Sequence, residues 1–324
     1  MNISLIASFY RVQTHLPSWI ARAEALADAV ARAGVTLEIV IVANDAQDDE
    51  RTLIDAFAAY VPNINVLYVP RESLYASWNR GVKAAQGALI GFWNADDSRS
   101  VEAVLDAWRL CQAGAKLVYF PWTVVRLHAN GQGKHETQVY SQIPFDAAYH
   151  KRKFRAGPFF MFTPGLFQQV GDFDARFRII GDWEWCNRAM SHTNFTPSLV
   201  NGGDFFIHGG NLSNTGSTRQ VCEENVMRIL GGMADEVIPA PPEEMRAVWK
   251  LWEADVQIPF EAAGKLWGAG AAEVWARWQI EEPRRKADVA RQQKIRAFPK
   301  WLIDTLGLRP LLARLGIVKT RDAK

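Results

Sequence analysis

Three things are scarce in this 324-residue chain: cysteine, long uninterrupted apolar sequence and net charge. The cysteines, Cys111, Cys186 and Cys222, are odd in number and widely separated, with no CxxC or Cys/His spacing around them. That excludes a disulfide-stapled scaffold and a structural zinc site, and it suits a reducing compartment. No window approaches the roughly 18 apolar residues that a membrane-crossing helix needs. The opening MNISLIASFYRVQTH has no basic n-region and no cleavage site, so no secretory signal is expected and a cytoplasmic location is. A formal net charge of +2 removes any general nucleic-acid footprint. The charge is uneven, however: residues 284–324 hold 12 Lys/Arg against 3 Asp/Glu, a net +9, leaving −7 for everything before them.

Apolar residues are abundant, 48% of the chain, ample for a packed core. The run Ile3 to Ser8 is followed by a helical pattern from Ser18 to Ala33, which Gly34 stops. The β-branched run Leu37 to Val42 enters the polar loop Asn44 to Asp49. A helix around Glu50 to Tyr60, a strand at Asn65 to Val69, a helix around Ser73 to Ala85 and a strand at Ala88 to Trp93 come next. A helix at Ala103 to Ala113 and a strand at Lys116 to Phe120 continue the alternation, which argues for βαβ units and a mostly parallel sheet. Trp122 to Phe154 reads as hairpins or loops, Gly181 to Ala189 as a helix and Phe205 to His208 as a short strand. The proline-rich break from Ile238 to Glu244 divides a domain of residues 1–237 from an extension of residues 238–324, whose segments Met245 to Ile280 and Val289 to Val318 are helical by composition.

Ligands of such sheets bind beyond the carboxyl ends of the strands. Three strands here end in polar clusters: Ser8, then Asn44-Asp45, then Asn94, Asp96 and Asp97. Neighbouring carboxylates repel unless a cation neutralises them. Mg²⁺ or Mn²⁺ would do so and would in turn hold a diphosphate; a solvated turn or helix cap is the bland alternative.

The ordered set IASFYR, IVANDAQDD, SWNRGVKAAQGALIGFWNADD, GPFFMFTPGLFQQVGDFD, GDWEWCNR and HGGNLS resembles the family 2 glycosyltransferases with a GT-A fold, over roughly Asn2 to Ser217. The resemblance implies an α/β, Rossmann-like, mostly parallel sheet flanked by helices, with a C-terminal helical extension. It implies an inverting transferase moving a sugar from a nucleotide diphosphate, UDP above all, to a glycan or lipid-linked acceptor in surface-polysaccharide synthesis. Carried onto this chain, the nucleotide meets Ser8, Phe9 and Tyr10, Asp45 accepts from the base, and the family's Asn-x-Gly falls on Asn79-Arg80-Gly81, which adds Asn79 to the donor-binding residues. Where the family places Asp-x-Asp, this chain has Asn94-Ala95-Asp96-Asp97, so Asn94 and Asp96 are assigned to the donor, and Asp96, Asp97 and His208 to Mn²⁺ or Mg²⁺. The base matches Asp182, with Glu184 as the other candidate, and Trp183 and Glu184 lie toward the acceptor. An N-cap is the bland alternative for Asp182, a residue at a helix N-terminus can do both jobs, and that terminus would lower its pKa.

The processive Gln-x-x-Arg-Trp motif of such enzymes is missing; the nearest string, Gln293 to Ala297, ends in alanine. A nucleotidyltransferase of similar fold or a non-catalytic glycan-binding relative are the alternatives. Finally, residues 297–324 interleave Trp301 and aliphatic residues with Lys300, Arg309, Arg314 and Lys319, a pattern suited to an anionic membrane surface on the inner face of the cell membrane, to a partner, or to packing on the chain's own domain.

Overall fold

Alternate residues of the first strand, β1 (Ile3–Phe9), point to opposite faces, and nearly all are buried. A strand buried on both faces belongs in the middle of a parallel sheet covered by helices on each side. The computed structural model shows that arrangement; it describes residues 1–127, 134–140, 145–208, 211–212 and 217–296. The chain forms two compact units, Met1–Met233 and Ala234–Lys324.

Unit 1 runs through α1 (Leu16–Arg32), β2 (Leu37–Asn44), α2 (Asp48–Tyr60), β3 (Ile64–Val69), α3 (Leu74–Ala84) and β4 (Leu89–Phe92). It continues through β5 (Ser98–Arg99), α4 (Val101–Gln112), β6 (Leu117–Tyr119), β7 (Trp122–Leu127), β8 (Lys134–Tyr140), α5 (Ala147–His150) and β9 (Met161–Phe162). The remainder is α6 (Pro164–Val170), α7 (Gly181–Ala189), β10 (Thr196–Pro197), β11 (Gly203–Ile207) and α8 (Thr218–Leu230).

Seven strands form one sheet in the order β10-β6-β9-β4-β1-β2-β3. It is mostly parallel: only β9 runs antiparallel, between β4 and β6. A second sheet, β5-β11-β7-β8, includes the antiparallel β7/β8 hairpin that falls within the expected hairpin region. The odd positions of β1, Ile3 to Phe9, join Trp19 and Leu26 of α1, Phe57 of α2 and Val104 of α4 in one core. On the other face Ile6 meets α3. Gly81 makes that approach possible, because a Cβ there would lie 2.4 Å from Cγ2 of Ile6. Trp78 of α3 stacks on Phe92 of β4 at 3.7 Å, and Phe173 and Trp185 extend the aromatic layer.

Unit 2 contains α9 (Pro242–Trp249), α10 (Phe260–Trp267) and α11 (Ala271–Arg296). The helical region expected from Met245 to Ile280 is therefore interrupted. Pro259 caps α10 at its start, and Gly268 and Gly270, the latter at φ +87°, separate α10 from α11. Conversely, α11 runs through Pro283 to Arg296, across the gap expected before Val289. The basic tail, residues 297–324, lies outside the described residues. No helix among the described residues is long and apolar enough to cross a membrane.

Candidate active site

Because β4, β1, β2 and β3 are adjacent and parallel, their carboxyl ends line one edge of the sheet. Asn44, 3% exposed, ties that edge together: its Nδ2 donates to Ser77 Oγ on α3 at 2.9 Å and to Ser8 Oγ on β1 at 3.4 Å, and its Oδ1 accepts from Glu72 N at 3.2 Å. Asp45 then turns outward at φ 47°, a left-handed conformation that aspartate tolerates better than most residues. Its N–H donates to Val69 O and its carbonyl accepts from Gln47, while the exposed carboxylate receives no hydrogen bond among the described residues. Capping of α2 falls to Gln47 and Glu50, so Asp45 is not the loop cap that its position also allowed.

Beyond β1, Tyr10 is half-buried beneath the Arg71 guanidinium, which lies 3.3 Å from the ring centroid; Arg11 approaches the same ring at 5.2 Å. Arg71 escaped the sequence reading, although a basic residue just after the end of β3 was a usable signal. Phe9 does not join this group. It is 2% exposed and packs edge-on against Trp19.

At the end of β4, Asn94 Nδ2 donates to Asp97 Oδ2 at 2.9 Å, and Phe206 N of β11 donates to Asp97 Oδ1 at 3.2 Å. Asp97 is 1% exposed; burial, and then the neighbouring Asp96 carboxylate, push its pKa well above the usual range. Part of the cationic compensation these acids require comes from the chain itself. Arg22 of α1 donates to Ala95 O at 3.0 Å and interacts with both carboxylates. Arg99, lowered to about 9 by burial, is held up by Asp97.

Asp96 faces elsewhere. Its Oδ2 lies 3.0 Å from His208 Nε2, and Asn211 links the two by accepting from His208 N while donating to Asp96 Oδ2 at 3.4 Å and to Phe206 O at 2.9 Å. His15, at the start of α1, stacks on His208 at 5.5 Å. Among the described residues no group of three or more His, Cys, Asp or Glu could hold a metal ion. The donor chemistry fits a Mg²⁺ or Mn²⁺ bound by two protein ligands, Asp96 and His208, with the other positions left to water and phosphate. Asp97, assigned beside them from the sequence, is not brought to this pair, because both its oxygens face inward. Gly209 and Gly210 lie outside the described residues.

Asp182 occupies the first turn of α7, whose N-cap is Ile180, so the N-cap reading is not what the structure shows. Its Oδ1 accepts from Trp183 N at 2.8 Å and from Tyr75 Oη at 3.1 Å. Among the described residues no other residue donates to Oδ2, while Asp182's own backbone N–H also interacts with the carboxylate. Gly181 permits this arrangement, since a Cβ there would lie 2.6 Å from the Tyr75 ring. The helix N-terminus does not set the pKa: burial prevails and pushes Asp182 up to about 6, against the lowering by its hydrogen bonds. The expected lowering is thus reversed. Tyr75, in turn, lies two residues before Ser77 on α3, so the same helix reaches both Asp182 and the strand ends.

Neither neighbour of Asp182 reaches the surface beside it. Trp183, 5% exposed, donates to His150 O at 2.7 Å and fills core. Glu184, 8% exposed, is engaged two-pronged by Arg188, one turn on, which also holds Val170 O and Asp172 O. Asn79 is likewise structural: both ends of its amide bind the Phe173 backbone, at 2.8 Å each. The Asn79-x-Gly81 motif thus serves packing rather than the strand-end site.

Residues 21–171 match the model of Glycosyl transferase family 2. The matched segment includes Asp45 and Asn94 to Asp97 and stops short of Asp182 and His208. The fold resembles that of S. aureus TarS 1-349 in complex with UDP-GlcNAc, with a TM-score of 0.54 at 13% identity, covering 80% of this chain and 77% of that one. It also resembles S. aureus TarS, with a TM-score of 0.52 at 15% identity, covering 78% of this chain and 42% of that longer one. No curated protein sequence matches the chain. The family's segment is thus laid on the parallel sheet whose strand ends gather Asp45, Asn94 and Asp96, a sheet of GT-A type shared with the TarS structures.

Proposed function

We propose that the enzyme transfers a sugar, with inversion, from a uridine diphosphate donor to a hydroxyl of a glycan or lipid-linked glycan in surface-polysaccharide synthesis. The observation that carries this reading is the half-anchored Asp182 carboxylate, with Oδ1 fixed by Trp183 and Tyr75 and Oδ2 open. A general base needs that combination of rigid placement and a free lone pair, with a pKa below but near the working pH. At about 6, Asp182 is ionised at neutral pH and more basic than an ordinary aspartate. Glu184, by contrast, is held in an ion pair with Arg188, which favours Asp182 for this role.

In the proposed reaction Asp182 Oδ2 takes the proton of the acceptor hydroxyl. That oxygen attacks the anomeric carbon from the face opposite the diphosphate, the carbon–oxygen bond to phosphate breaks, and UDP leaves with the bonding electrons. Asp45 accepts from the imide N–H of the base, and Tyr10, flanked by Arg71 and Arg11, borders the nucleotide with a positive rim. Ser8 and Asn94 offer hydrogen bonds to ribose and diphosphate. Asp96 and His208 would hold Mn²⁺ or Mg²⁺, which when bound supplies positive charge to the departing diphosphate. The UDP-GlcNAc in the TarS 1-349 structure supports a uridine donor.

Residues 297–324 are proposed to keep the enzyme on the anionic inner face of the membrane, near a lipid-linked acceptor. Deleting them should release the protein from anionic vesicles, and undiminished binding removes that role. Asp182→Asn should abolish sugar transfer and leave UDP binding intact; loss of UDP binding without a separate defect in turnover overturns the base assignment.

A further inference from the structure

The segment from which α7 starts, Arg178 to Ile180, is held from two sides by residues that no sequence motif singled out. From α8, the fully buried Glu223 carboxylate accepts three consecutive backbone N–H groups: Arg178 at 3.0 Å, Ile179 at 2.9 Å and Ile180 at 3.4 Å. Arg219 supplies the countercharge at 2.7 Å. From α3, the single Tyr75 hydroxyl proton is shared between two acceptors, Ile179 O at 2.8 Å and Asp182 Oδ1 at 3.1 Å. Ile179 is therefore fixed at both its N–H and its C=O, three residues before Asp182. Ile180 caps α7 without a side-chain hydrogen bond, and Glu223 instead takes the N–H groups of the three residues that lead into the helix, ending at the N-cap residue itself.

We propose that Glu223 and Tyr75 are positioning residues for Asp182, a two-sided clamp that sets the place and direction of its carboxylate. The proposal rests on Asp182 being the base. A purely structural anchor could be apolar, since a buried carboxylate carries a desolvation penalty that only well-made hydrogen bonds offset. Here it directs its hydrogen bonds at the approach to the reacting group. Its charge also bears on that group. The ionisable groups facing Asp182 are Tyr75 from α3, Glu223 from α8 with Arg219 paired to it, and Cys186 from α7 itself. Beyond burial, which dominates, Glu223 repels the Asp182 anion while the Tyr75 hydroxyl stabilises it.

These opposite signs make the clamp testable without a known acceptor. The Asp182 carboxyl is followed by ¹³C NMR titration, assigned by its absence in Asp182→Asn, together with hydrogen exchange of the Ile179 and Ile180 amides. Glu223→Gln should lower the Asp182 titration point from about 6 and speed exchange at both amides by roughly tenfold or more, because the glutamine NH₂ cannot accept. Tyr75→Phe should raise the titration point. Both should slow UDP release from UDP-GlcNAc, with water as acceptor, by roughly tenfold or more through misplacement of the base, at unchanged KM. Folded variants in which Asp182 titrates as in the wild type overturn the clamp. Should Glu223→Gln not fold, an unmoved titration point in Tyr75→Phe does so alone. Full turnover in Asp182→Asn instead overturns the base assignment and leaves the titration and exchange results to stand for the clamp.

Discussion

Replacing Asp182 by asparagine keeps the shape of the side chain and its acceptor for Trp183 N and Tyr75 Oη, and removes only the ionisable oxygen. Burial raises the carboxyl from 3.8 to about 6, so in the folded state the anion is held at a disadvantage. A shift of roughly two units corresponds to about 3 kcal/mol at most. The sign follows from proton binding. Below pH 3.8 the carboxyl is protonated in both folded and unfolded chains, and the substitution has nothing to relieve. Between pH 3.8 and about 6 the folded protein binds the extra proton, and the penalty on the wild type grows; above about 6 it is complete. Asp182→Asn should therefore be more stable than the wild type by up to about 3 kcal/mol at pH 8, a rise in melting temperature of several degrees for a domain of this size, and no more stable near pH 4. In the same preparation, UDP release from UDP-GlcNAc should fall by roughly 10²–10⁴-fold, the usual worth of a general base. The wild-type kcat/KM should itself decline below about pH 6. A variant that keeps its turnover, or whose stability gain does not depend on pH, refutes the reasoning that one raised carboxylate is the base.

The remaining expectations concern the strand ends and the packing beneath them. His208→Ala and Asp96→Asn should each weaken Mn²⁺-dependent UDP binding by roughly 10- to 100-fold; UDP affinity that ignores EDTA in the wild type removes the metal from the account. Asn79→Ala should cost about 1–3 kcal/mol per backbone group left unpaired at Phe173 and leave the UDP Kd unchanged, and a selective loss of UDP affinity would return Asn79 to the donor site. Gly181→Ala should destabilise by about 1–3 kcal/mol and reduce turnover, because the new methyl must displace the Tyr75 ring that holds Asp182. Wild-type melting and turnover for that variant would show that α7 can shift without consequence.

Much of the architecture was legible because parallel, doubly covered strands are long apolar runs ending in abrupt polar clusters. β2 is buried at all eight positions and its last residue, Asn44, is polar. The direction in which each side chain points was not legible in the same way. Glu184, Trp183 and Asn79 lie within or beside promising motifs, yet each is turned inward by a partner elsewhere in the chain: Arg188, His150 and Phe173. Only the first of these, four residues away on one helix, left a trace in the spacing. The Asp182 pKa was misjudged because a helix N-terminus is visible in sequence while burial beneath Tyr75 and Glu223 is not. The charge that Arg22 brings to Asp96 and Asp97, and Arg99 to Asp97, is equally invisible in the spacing of the acids, because both arginines come from separate elements.

The central claim is that a uridine diphosphate sugar lies across the ends of β1, β2 and β4, with Asp182 presented to its acceptor. The most direct test is titration of the ¹⁵N-labelled protein with UDP in the presence of Mg²⁺. The account predicts saturable amide shifts at Ser8 to Arg11, at Asp45, at Arg71 and from Asn94 to Asp97, with the same set in Asp182→Asn. No saturable binding, or shifts gathered away from those strand ends, contradicts it.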